Sequence, residues 1–364
     1  MIRMNSLVSF LQLRAWYIGF FTASGHIPFL AIFCILLATK PVPSAIGLLI
    51  GIIWVWAFQA YGFLINDLFD LPFDKAAGKP TPIDRFPRWV ILLSLTLLMF
   101  VGILPVVYRP SSLLGVLVLL AYLLATAYSA PKLRLKERGV WGFLADSVMG
   151  RPLPVLVLFA LLSKVDSVAV LFALLAGLFS LMTILKQHID DYEGDLRSNN
   201  RTVVVQFGKR NSDLLLRRAF YPADLISIAG FSVLIGYIAP ASIVDIAFAW
   251  ILVAAVGALL LSTRFLSRNL LKKTVADFTV LSGILYHSKD LPFMISFINV
   301  NFEGLITLVL GLGLALVDSS YYVLVALYVV SQYYYSGFYK ILANHFLKVI
   351  SLLQSSRRRG SGES

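Results

Sequence analysis

The chain has 364 residues, 59% of them hydrophobic and 14% charged, with a formal net charge of +12. Its mean hydropathy of +0.83 lies far above that of a water-soluble domain and excludes a single soluble core. The basic excess does not imply nucleic acid, because the cations are confined to a few loops between apolar runs.

Apolar runs of about 20 residues suffice to cross a bilayer as helices. They predict spans at 16–38, 44–65, 89–108, 111–128, 140–163, 167–185, 220–241, 243–262, 294–317 and 320–339. The expected fold is all-α: a polytopic transmembrane helix bundle of nine to ten spans, one domain over residues 1–345, with a basic, disordered tail over 346–364. Residues 1–14 are too mixed for the apolar core of a cleaved signal, so the first span is expected to persist. The lone Cys34 lies inside that span, which excludes an intramolecular disulfide, and His26, His188, His287 and His345 have no metal-ligand spacing.

Lys75, Lys79, Arg85 and Arg88 follow the second span, and Lys132, Arg134, Lys136 and Arg138 follow the fourth. A third group from Lys186 to Arg218 follows the sixth, and a fourth from Arg264 to Lys289 follows the eighth. The alternate loops carry little more than Lys40, Arg109 and Lys164. This asymmetry predicts that the four basic loops are cytoplasmic. The basic tail, with Lys340, Lys348 and Arg357 to Arg359, favours both termini on that side.

The second span ends in Asn66-Asp67-Leu68-Phe69-Asp70-Leu71-Pro72-Phe73-Asp74. Asn66, Asp70 and Asp74 fall at i, i+4 and i+8, on one face of a helix, whereas Asp67 points elsewhere. Such oxygen ligands suit Mg²⁺, which takes one or two carboxylates together with phosphate oxygens and water. Solvated surface aspartates would show the same spacing. Pro72 removes a helical hydrogen bond, so a kink or stop is expected there, leaving the position of Asp74 open.

After the fourth span comes Tyr128-Ser129-Ala130-Pro131-Lys132-Leu133-Arg134-Leu135-Lys136, a source of cations for a diphosphate. Topology alone also accounts for a basic loop, and spacing leaves both readings open. Arg151 lies within the fifth span between Gly150 and Pro152, where an arginine is a functional candidate. It can hold an anionic group, pair with Asp146 or snorkel. At the end of the sixth span His188, Asp191 and Asp195 share a face, while Asp190 and Glu193 read as solvated charge. Arg201 follows. The two acidic loops form a weak internal repeat, spans two and three against six and seven.

The order Asn66-x-x-x-Asp70-x-x-x-Asp74, Tyr128-Ser129-Ala130-Pro131, then Asp191-x-Glu193-Gly194-Asp195 with Arg201-Thr202 and Gly208 resembles the UbiA-type intramembrane prenyltransferases over about residues 10–240. The resemblance implies a helical bundle around a central cavity and Mg²⁺ as cofactor. Asn66, Asp70, Asp74, Asp191 and Asp195 would be its metal and diphosphate residues, with Asp70, Asp191 and Lys132 catalytic. Asn66, Tyr128, Lys132, Arg134, Arg151 and Arg201 would contact the diphosphate. The implied partners are a prenyl diphosphate donor, a hydrophobic or aromatic acceptor and membrane lipid. The chain departs from the pattern at His188, where many members carry an acid, at Asn199-Asn200 in place of a glycine, and in the absence of an arginine before Pro82-Ile83.

The implied chemistry is ionisation of the donor, with metals and basic residues stabilising pyrophosphate and an apolar wall excluding water. Replacing Asp70 or Asp191 by Ala is predicted to abolish turnover and leave the fold intact. Two alternatives remain: a terpene cyclase of the same fold, which needs no acceptor, and a secondary transporter, whose polar residues would sit at mid-membrane on discontinuous helices. The segment Val275 to Glu303, including Asn299 and Asn301, is a candidate for selecting the acceptor.

Overall fold

The computed structural model describes residues 26–238 and 304–335, except 40–41, 77, 79–80, 199 and 305, together with Phe10, Leu13 and Trp16. The predicted span 243–262, the Val275–Glu303 segment and the 346–364 tail lie outside the described residues. Among those described, the regular structure is helical, with one isolated bridge between Gly139 and Thr202. The helices are α1 His26–Ala38, α2 Ala45–Ala76, α3 Arg88–Tyr108, α4 Ser112–Ser129, α5 Val140–Gly150, α6 Pro152–Leu162, α7 Ser167–Asp190, α8 Tyr192–Arg197 and α9 Val203–Phe207. They are followed by α10 Lys209–Ile238, α11 Ile306–Val317 and α12 Tyr322–Tyr335. Six described stretches are long and apolar enough to span a bilayer, α5 and α6 together counting as one.

The bundle helices are apolar on both faces because one meets protein and the other meets lipid. In α3, Ile91, Leu95, Leu98 and Gly102 are buried, whereas Leu92, Leu93, Leu97 and Phe100 are exposed. Close approach depends on small residues: a Cβ at Gly102 would strike the Tyr122 ring of α4. That crossing is pinned by Tyr122 Oη donating to Leu98 O at 3.1 Å, and the contact of α3 with α2 by Trp54 Nε1 donating to Gly102 O at 3.1 Å.

Three helix boundaries differ from the sequence expectation. First, α2 does not stop at Pro72 but continues through it to Ala76. Pro72 stands exposed four residues before the helix ends, so only one further turn has to form past it. Second, the predicted span 140–163 is two helices joined at Arg151, whose φ of −139° and ψ of −56° leave the helical region. Pro152 lacks an N–H, disfavours helical geometry at the residue before it and suits the first turn of α6. Third, α10 starts at Lys209, well before the predicted 220, and passes through a π-turn at Leu216–Phe220.

Candidate active site

The C-terminal end of α2 carries the first acidic motif. Because the helix is continuous, Asn66, Asp70 and Asp74 keep their one-face relation. The loop after α4 folds onto that face. Leu133 N and Arg134 N both donate to Ala130 O, at 3.0 and 2.7 Å, winding the chain around Ala130. Arg134 then adopts φ +34°, a left-handed conformation uncommon for a residue with a side chain, and the following short turn directs Lys136 back towards α2.

Lys136 Nζ donates to Asp70 Oδ1 and, at 3.2 Å, to Asn66 Oδ1. Ser129 Oγ donates to the same Asn66 oxygen at 2.7 Å. The Arg134 guanidinium lies 3.9 Å over the Phe73 ring, with Nη1 3.6 Å from Asp70 and Nε donating to Glu137 at 2.6 Å. The Lys136, Arg134 and Asp70 side chains are only 10%, 9% and 16% exposed, so these charges interact with little screening. Burial pushes the Lys136 ammonium down from the ordinary lysine range, and the Asp70 carboxylate counteracts that shift.

The second acidic motif begins where α7 ends. Asp195 N donates to Asp191 O at 2.9 Å, so the two aspartates keep the one-turn spacing expected of them. Asp195 is buried and held through both oxygens: Thr202 Oγ1 donates to Oδ2 at 3.1 Å and Asn200 Nδ2 to Oδ1 at 3.4 Å. Asp191 is exposed at the rim. Asp190 pairs with Lys186 at 2.8 Å, and Glu193 lies 3.8 Å from Lys209. His188 does not join them in a ligand set; it is buried with its ring 6.3 Å from Phe143. Arg201 is exposed and gives its carbonyl to Gln206 Nε2 at 2.9 Å.

Tyr128, in the last turn of α4, donates its hydroxyl to Asp146 Oδ2 of α5 at 3.1 Å. Deeper, at the α5–α6 break, Arg151 Nη1 donates to Thr183 Oγ1 at 2.9 Å, and the guanidinium lies 4.4 Å over the Phe179 ring. Arg151 therefore turns inward to α7 rather than snorkelling, and it acts electrostatically on Asp146.

Among the described residues, no three His, Cys, Asp or Glu side chains converge into a ready-made metal cage. The donors offered by α2 and by the α7–α8 junction are oxygens on two separate helices. That set suits a hard cation that completes its shell with water and phosphate oxygens, and does not suit zinc.

The family model for the UbiA prenyltransferase family matches residues 27–283. The chain belongs to that family. A solved UbiA homolog from Archaeoglobus fulgidus bound to DMAPP and Mg²⁺ is 13% identical, with a TM-score of 0.51, covering 82% of this chain and 98% of its own. The same homolog bound to GPP and Mg²⁺ is 14% identical at the same TM-score and coverage. A form bound to Cd²⁺ is 15% identical, again with a TM-score of 0.51 and the same coverage. At these identities the likeness concerns the fold, a UbiA-type helical bundle. No curated protein matches the chain.

Within this UbiA bundle, the structure brings Lys136 to the first motif, where the sequence pointed to Lys132. Lys132 is exposed on the outer edge of the turn around Ala130. Ser129, Asp146, Thr183 and Thr202 are further members of the site that spacing did not single out. Gly142 keeps the Lys136 turn in place: a Cβ there would fall on Leu135 O, with Lys136 Cα 2.8 Å away. Gly142→Ala is expected to shift that turn, lower stability by roughly 1–3 kcal/mol and reduce turnover. Thermal unfolding in detergent, run alongside the activity assay, tests this.

Proposed function

We propose that the chain is a Mg²⁺-dependent intramembrane prenyltransferase, moving an isoprenyl group from a prenyl diphosphate to an aromatic or lipid acceptor and releasing pyrophosphate. The observation that carries this reading is the largely buried Asp70–Lys136–Arg134 cluster at the end of α2. It joins anion-binding cations to oxygen ligands at one end of an apolar bundle. Asn66, Asp70 and Asp74 would hold metal on one side, and Asp191 and Asp195 on the other. Bound Mg²⁺ supplies the positive charge that makes pyrophosphate a good leaving group.

The chain's own residues do the rest. Lys136 and Arg134, which neutralise Asp70 in the free chain, transfer to the diphosphate oxygens and free the carboxylate. Arg201 and Lys132 stand at the exposed rim, where they draw in an anionic donor. As the C1–O bond breaks, its electron pair leaves with pyrophosphate. The acceptor's electrons then form the new bond to C1, and the acceptor releases a proton. The aromatic faces of Tyr128 and its apolar neighbours favour the allylic cation and keep water from it. Arg151, anchored on Thr183, offers a cation to an anionic group deeper in the cavity. The basic loops favour a cytoplasmic position for this end of the bundle.

The test is pyrophosphate release by the purified chain in detergent with Mg²⁺ and dimethylallyl, geranyl or geranylgeranyl diphosphate, with and without pooled membrane lipid extract. Release that needs both Mg²⁺ and extract is expected. Release without extract would favour cyclisation or hydrolysis. The helix break at Arg151 is a feature that transporters share; turnover in detergent, where no compartments exist, excludes obligatory transport.

A further inference from the structure

A cavity of about 1240 Å³ lies at the end of the bundle opposite the acidic motifs. The acidic motifs sit at the C-terminal ends of α2 and α7. This cavity is bounded instead by the N-terminal ends of those helices and the C-terminal ends of α1, α3, α6 and α10. Cations are scarce on that face: its loops carry little more than Lys40, Arg109 and Lys164, and Arg109 and Lys164 both line this cavity. A distribution governed only by topology gives no reason for both to converge there.

Among the described residues the lining carries net positive charge: Arg109 and Lys164 contribute two positive charges and Asp166 one negative, leaving +1. Asp166 is already engaged: its Oδ1 accepts from Val168 N at 3.1 Å and Ala169 N at 3.2 Å, capping α7, and its Oδ2 lies 3.4 Å from Lys164 Nζ. Arg109 Nη1 donates to Leu161 O at 2.9 Å, which fixes the guanidinium at the cavity wall and uses one of its five N–H donors. Thr39 Oγ1 donates to Ser163 Oγ at 3.1 Å, adding two hydroxyls at the rim. Leu37, Phe159 and Ile238 contribute apolar wall to the same lining. Cations, hydroxyls and apolar side chains in one lining, between helix ends, match the two parts of a lipid better than a small soluble anion.

We propose that this cavity binds an acidic phospholipid of the leaflet opposite the acidic motifs, with its phosphate on Arg109 and Lys164 and its upper acyl carbons on the apolar wall. Each cation near an anionic lipid surface contributes roughly fivefold in affinity. The purified full-length chain, stripped of lipid in detergent, is titrated with phosphatidylglycerol or phosphatidylcholine, and lipid adducts are counted by native mass spectrometry. Phosphatidylglycerol is expected to be retained preferentially, and Arg109→Gln/Lys164→Gln to lower that retention roughly tenfold or more with the unfolding temperature unchanged. Arg210→Gln/Arg218→Gln removes the same charge from exposed or part-exposed positions near the other end and is expected to cost much less. Equal losses from the two double variants, no preference for phosphatidylglycerol, or displacement by millimolar inorganic phosphate would each overturn the proposal.

Discussion

Asp70→Asn is expected to lower Mg²⁺-dependent pyrophosphate release at least about 1,000-fold and, unlike a change at an exposed aspartate, to destabilise the folded chain. The first effect follows from removing both a metal ligand and the charge that positions Lys136, since electrostatic groups of this kind are each worth roughly 100- to 1,000-fold. The second follows from burial. Lys136 and Arg134 are 10% and 9% exposed, and Asp70 is a carboxylate that both of them contact. Breaking a buried pair from one side costs about 3 kcal/mol. The sequence alone predicted loss of turnover with the fold intact; the ion pairs add a stability cost to that expectation. Asp70→Asn/Lys136→Met separates the effects, because it removes the orphaned ammonium. Its unfolding midpoint is expected to recover towards wild type while its activity stays absent. Near-normal turnover in Asp70→Asn would end the proposed mechanism.

The features legible in the sequence are those that depend on short-range periodicity. The apolar length of each described span and the i, i+4 spacing of Asp70 with Asp74 and of Asp191 with Asp195 need only helical geometry and bilayer thickness. Two local signals were ambiguous. Pro72 reads as a kink or stop and Pro152 as part of an unbroken span, yet the helix runs through Pro72 near the end of α2 and breaks at Arg151, where Pro152 opens a new helix. The path of the basic loop was not legible at all. Lys132 and Lys136 lie four residues apart in a segment without helical period. What selects between them is the left-handed turn at Arg134 and the close seat of Gly142 beneath Leu135, and the second of these is a packing contact from the next helix. Thr202 likewise reaches Asp195 across seven residues, through a turn whose course no spacing rule predicts.

That loop geometry leads to the second large effect. Lys136→Ala is expected to reduce kcat/KM for the prenyl diphosphate by roughly 100- to 1,000-fold, whereas Lys132→Ala changes it by no more than about threefold, as suits an exposed cation that only steers the donor. The contrast arises from dielectric environment more than from chemistry, since both residues are lysines on the same loop. Lys136 is desolvated and bonded to Asp70 and Asn66, so its charge acts on nearby phosphate oxygens at full strength. Lys132 faces solvent, where water and salt screen it. Raising ionic strength should therefore reduce the small Lys132 contribution to association and leave the Lys136 effect on turnover almost unchanged. If Lys132→Ala loses activity and Lys136→Ala keeps it, the loop has to rewind around Ala130 when the donor binds, and the Lys136–Asp70 pair would be a resting lock on the site rather than part of its catalytic arrangement.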